Sequence, residues 1–124
     1  MRVIRIAEVD PVLMPTVTPI EGWSGGETHR TRQDVIPEGA SEHFSASVVN
    51  FEKGATTGWH AHGSDQILVI TAGVGIVANE QEQHEVTVGD VVQVMEGERH
   101  WHGAKKESYM SHITITRSGS RSSR

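Results

Sequence analysis

The chain has 124 residues, enough for one domain around a single core and too few for two. Its formal net charge of −5 argues against a nucleic-acid partner, since such proteins present a basic face, and leaves a small molecule as the expected ligand. No cysteine is present, so disulfides, thiolate metal sites and a cysteine nucleophile are excluded, and any metal must be held by nitrogen and oxygen donors.

The opening MRVIRIAEVDPV lacks the apolar core of a secretory leader, and no apolar run approaches the ~18 residues of a membrane span, so the sequence reads as cytoplasmic. Residues 1–40 are punctuated by Pro11, Pro15, Pro19 and Pro37 and by Gly22, Gly25 and Gly26. They read as an arm that wraps a core, with Val3–Val9 as an edge strand and Thr28–Val35 as a second edge strand or a loop. From Glu42 onward strand-like runs recur at short spacing: His43–Phe51, Gly58–His60, Gln66–Thr71, Val74–Ala78, His84–Val88, Val91–Met95 and Ser108–Thr116. Turn signals separate them, among them Lys53-Gly54, Ala72-Gly73, Gly89-Asp90 and Glu96-Gly97. No segment repeats apolar residues at helical spacing. The expectation is an all-β antiparallel sandwich or barrel with its core in residues 41–116. The tail, residues 117–124, has nothing to bury and is expected to be disordered. Exposed edge strands of the arm are a liability that pairing across a two-fold axis would cover, so a homodimer is expected.

The stretch richest in chemistry is GATTGWHAHGSDQILVITAG, residues 54–73. His60 and His62 stand two apart, so in an extended chain both imidazoles point to one face. Gln66 opens the strand that follows. Further on, His100-Trp101-His102 offers two more imidazoles at the same spacing; three histidines and one oxygen donor would complete a ligand set. His102, one step along from His100, is a candidate base with an ordinary pKa near ~6.5. Trp59 and Trp101 alternate with the histidines and face away from them, towards packing or a subunit contact. If Ser47 and Val49 point inward, their strand leaves room for a substrate. In the last strand Met110, His112, Thr114 and Thr116 share one face, and the pattern alone leaves open whether that face is inward.

These residues resemble the cupin superfamily. Its first motif, G-x5-H-x-H-x3-E-x6-G, is met by Gly54, His60, His62 and Gly73, with Gln66 where glutamate is usual. Its second, G-x5-P-x-G-x2-H-x3-N, is met by Gly89, Gly97 and His100, with Met95 for the proline and Ala104 for the asparagine. The resemblance implies a single-domain jelly-roll barrel with one divalent transition metal in its mouth, held by His60, His62, Gln66 and His100. A closer resemblance is to small manganese cupins that act as hydroxynitrile lyases, which carry comparable WHxH and HWHGA segments and a glutamine ligand. That resemblance implies manganese, with iron, nickel, cobalt or zinc as alternatives, and places His112 inside as an aid to His102. Sugar-acid enzymes, dioxygenases, isomerases and non-catalytic binding proteins share the ligand set and stay open as alternatives.

Gln66 in place of a carboxylate removes one negative charge from the ligand shell. The ion then keeps its full positive charge, which favours Lewis-acid chemistry over oxidation. The expectation is a metal-dependent lyase that cleaves a cyanohydrin to aldehyde and cyanide, or runs the addition backwards.

Overall fold

A computed structural model describes residues 1–23 and 29–124. Gly25, Gly26 and Thr28, which entered the reading of the arm, lie outside the described residues. A single 3-10 turn at Ile6–Glu8 is followed by β1 (Val12–Leu13), β2 (Arg30–Ile36), β3 (Phe44–Phe51), β4 (Ala61–His62), β5 (Gln66–Asn79), β6 (Gln83–Thr87), β7 (Val91–Val94), β8 (His100–Ala104), β9 (Met110–Arg117) and β10 (Ser122–Ser123). All pairings are antiparallel. One sheet runs β1-β2-β3-β9, then the first half of β5, then β7; the second half of β5 pairs β6 and β8 in the facing sheet. The all-β jelly-roll expectation holds. Among the described residues no helix is long and apolar enough to cross a membrane.

Three expectations are corrected. Residues 66–71 and 74–78 are not two strands joined by a turn but parts of one 14-residue strand. The register slips between Ile70 and Ala72, Gly73 takes φ +72°, and a Cβ there would collide with the Tyr109 carbonyl. Glycine at that point bends the chain out of one sheet and into the other without reversing it. Val3–Val9 does not form an edge strand. Its carbonyls at Ile6 and Val9 are taken by the Gln33 side-chain amide, at 2.9 and 2.8 Å, rather than by a ladder. The third correction concerns the tail. Ser122–Ser123 pairs with Ala61–His62, and Arg124 Nη1 donates to the Thr57 carbonyl at 2.7 Å. Backbone pairing orders a segment that has no apolar surface to bury.

The core between the sheets gathers Val49, Phe51, Leu68, Ile70, Val77, Val86 and Met110. Each large aliphatic among them contributes about 2 kcal/mol by leaving water. On β9, Met110 and His112 are fully buried while Ser111 and Ile113 are half-buried, which settles that the even-numbered face is inward. Trp101 faces the other way, into a second apolar cluster with Ile20, Ile76 and Ala78, its ring edge-on to Trp23 at 5.3 Å. The tryptophans therefore brace the ligand strands from behind, as their alternation with histidine requires.

Candidate metal centre and proton relay

The half-barrel end between β4, β5 and β8 collects His60, His62, Gln66 and His100. The segment before β4 is drawn against β8 by paired backbone bonds between His60 and His100, 2.9 Å in each direction. Three ring nitrogens, one from each of His60, His62 and His100, lie within 4.8 Å of one another. Donors at that spacing can share one ion at ~2.1 Å per bond once the rings tilt inward.

The hydrogen bonds around the rings fix their direction. His60 Nδ1 donates to the Gly58 carbonyl at 2.9 Å, and His100 Nδ1 to the Glu98 carbonyl at 2.8 Å. Each bond holds the proton on Nδ1 and leaves Nε2 as a lone pair aimed inward, the outer support that metal-ligating histidines use. His62 Nε2 is buried without a partner among the described residues. Gln66 Oε1 stands 3.1 Å from His100 Nε2, so two acceptors face each other, a contact that a shared cation relieves. Burial drives His60 down to about 3 and His62 to about 4, and lowers His100 as well. All three are thus neutral imidazoles, the form that binds metal. A divalent ion fits this donor set.

Deeper along the same wall a second group forms. His102 and His112 are both buried, and His102 Nδ1 lies 2.9 Å from His112 Nε2. His112 Nδ1 in turn lies 3.1 Å from Thr114 Oγ1. The far nitrogen of this series, His102 Nε2, is buried and has no partner among the described residues, and its ring stacks on that of His100 at 5.6 Å. Phe51 packs against both rings, at 5.9 and 5.3 Å. The expectation that His102 is poised near neutrality is corrected here. Burial, then the neighbouring charges of His112, His60, His100 and His62, hold it well below the ordinary histidine value, and burial pushes His112 to about 3. Thr114 was not singled out in the sequence, although its place two residues after His112 on an alternating strand was a sufficient signal.

A cavity of about 170 Å³ abuts this assembly, lined by Ser47, His62, Thr114, Thr116, Ser120 and Ser122 among others. Ser47 and Val49 both face inward, the condition on which the room for a substrate depended; Ser47 lines the cavity and Val49 packs in the core. The structure brings together every site residue expected from the sequence. His29, His43 and His84 lie on the surface beside glutamates and take no part.

The 46% identity over 72 residues to an (R)-mandelonitrile lyase from Granulicella tundricola covers 57% of this chain and 55% of that protein, so the chain spans just over half the length of this relative. Among solved structures, a cupin-like protein from Thermotoga maritima superposes with a TM-score of 0.70 at 28% identity, covering 75% of this chain and 74% of the other. A predicted oxalate decarboxylase from the same organism superposes with a TM-score of 0.76 at 19% identity over 94% and 98% of the two chains, a likeness of fold alone. The family model of the cupin domain matches residues 47–116, more than half of the chain and the whole stretch that carries the candidate ligands and the His102–His112 pair. The chain belongs to the cupin family.

Proposed function

We propose that the protein is a metal-dependent lyase that splits an α-hydroxynitrile into a carbonyl compound and hydrogen cyanide, or joins them in reverse. The observation that carries this reading is His102 Nε2, a buried, unpartnered imidazole nitrogen beside the three-histidine cluster and backed by His112. The similarity to an (R)-mandelonitrile lyase supports the same chemistry.

His60, His62, Gln66 and His100 would hold one divalent ion, manganese by preference, which supplies positive charge opposite the substrate oxygen as it becomes negative. The remaining chemistry belongs to the chain. With the relay ordered so that His112 Nδ1–H donates to Thr114 and His102 Nδ1–H donates to His112, His102 Nε2 is left as the acceptor. It takes the substrate hydroxyl proton. The oxygen electron pair forms the carbonyl as the bond to the nitrile carbon breaks, and cyanide leaves with that bond's electrons. The proton on His102 then passes to cyanide, restoring the neutral ring. A base held well below neutrality is always unprotonated at working pH and returns its proton readily; the cost is a weaker pull on the hydroxyl.

The polar lining of the cavity favours, as a second reading, proton transfer on a sugar acid by the same histidine pair. To separate the two, manganese-loaded protein is mixed with mandelonitrile and with acetaldehyde cyanohydrin, and aldehyde release is followed against a metal-free control. Release that depends on metal and on His102 upholds the lyase. Equal rates with and without metal for both substrates reject it. We further propose a homodimer joined through the arm, where Val3, Val12 and Leu13 are exposed; a monomer by light scattering at micromolar concentration rejects that assembly.

A further inference from the structure

The segment after β9 is built into the site rather than trailing from it. Ser120 N–H donates back to the Arg117 carbonyl at 3.1 Å, with Gly119 between them at φ +81°, a turn that glycine makes without strain. Glu38 clamps this turn, accepting from Ser118 Oγ at 2.9 Å and from the Gly119 N–H at 2.7 Å. The reversed chain then lies along β4, where Gly63 N–H donates to the Arg121 carbonyl at 2.9 Å and Ser122 pairs with the ligand His62.

That geometry carries Ser120 to the cavity wall beside His62. Three of the six hydroxyls around the cavity are already engaged. Ser45 and Thr116 bond each other at 3.1 Å, and Thr114 is held by His112. Ser120 Oγ differs: it is buried and has no partner among the described residues. Buried hydroxyls are nearly always bonded, so one left without a partner on a cavity wall marks a place for a ligand's polar atom. The cavity, at about 170 Å³, lies below the ~300 Å³ at which drug-sized ligand pockets begin, and no aromatic ring other than His62 lines it.

We propose that Ser120 is a substrate-positioning residue, and that the cavity it closes takes small hydrogen-bonding alcohols of the lactonitrile type in preference to aryl ones. The inference rests on reading the site as one that acts on a hydroxyl-bearing substrate. It makes the end of the chain, and not the barrel core, the part that sets substrate size.

Two unreactive amides separate this proposal from the lyase reading. Lactamide and mandelamide are titrated by calorimetry into the manganese-loaded protein and into its Ser120→Ala and Ser120→Thr variants. Lactamide is expected to bind about tenfold more tightly than mandelamide, and Ser120→Ala to lose about tenfold for lactamide, the scale of one lost hydrogen bond. Metal content and thermal midpoint stay unchanged, and Ser120→Thr retains most of the affinity. Mandelamide binding as tightly as lactamide, an unaffected Ser120→Ala variant, binding of neither amide, or loss of affinity together with metal or stability would each overturn it. If lactamide binds through Ser120 while acetaldehyde cyanohydrin is not cleaved, the lyase reading falls and this assignment stands.

Discussion

The two histidine groups inside the barrel use the same side chain for opposite ends. In the group at the mouth, His60 and His100 each tether one nitrogen to a backbone carbonyl, at 2.9 and 2.8 Å, so the rings are fixed by the fold and their lone pairs converge. In the deeper group, His102 and His112 tether each other at 2.9 Å, so a proton added at one can be shared with its neighbour. Rings anchored to backbone suit holding an ion, because nothing needs to move. Rings anchored to one another suit moving a proton. The difference between holding and relaying lies in the partner of the second nitrogen.

Substituting one member of each group tests that division most directly. His100→Ala is expected to abolish metal binding and reduce cleavage to the metal-free baseline, with elemental analysis reading the metal and aldehyde release the rate. His102→Ala should keep its metal while losing about 10²- to 10⁴-fold in rate, the usual contribution of a general base. A His102→Ala protein without metal would erase the distinction between the groups.

A smaller effect, shared by both groups, is on stability. Burial depresses His60 and His112 to about 3 and His62 to about 4, whereas the unfolded chain titrates near ~6.5. As pH falls the unfolded chain takes up protons first. The metal-free protein should therefore hold its full stability above about pH 6.5 and lose it progressively towards about pH 3. Urea midpoints measured across that window read the slope, and a flat profile would mean that the rings are not buried as described.

How much of this was legible in the sequence divides along similar lines. The juxtaposed histidines were readable because alternation places His60 with His62 and His100 with His102 from local spacing alone. The strands β3, β6, β7 and β9 fell within a residue or two of their expected bounds for the same reason. What local pattern could not supply was the fate of groups decided at a distance. Ala72-Gly73 carries the same turn signal whether the chain reverses or merely changes sheets, and only the Tyr109 carbonyl pressed against Gly73 decides. The serines of the tail carry no apolar signal, yet Glu38, 81 residues away in sequence from Gly119, fixes them. Burial, too, is a collective property, which is why His102 was given an ordinary pKa and turned out to be far below it.

The smallest expected effect concerns the oxygen donor of the group at the mouth. Gln66 touches His100 at 3.1 Å and replaces a carboxylate common in the family. Gln66→Glu should bind manganese about tenfold more tightly, as ligand-shell changes do, and turn over about tenfold more slowly because the ion's charge is partly neutralised. Tighter binding with an unchanged rate would show that ion charge does not limit the reaction.

The placing of the ligands along the chain has a mechanical side. His60 and His100 stand about 40 residues apart, and the stretch between them is held at their contact and also by β4 pairing with β10 and β5 pairing with β8 and β9. In a chain without cysteine, an ion held by His60, His62 and His100 would add a further tie between β4 and β8. Because such an ion would bind the folded chain and not the unfolded one, it would stabilise by mass action, about 2.7 kcal/mol at a hundredfold excess over its Kd. On the proposed metal reading, stripping the ion would therefore lower the thermal midpoint along with any catalysed rate, and a thermal scan with and without chelator reads the difference.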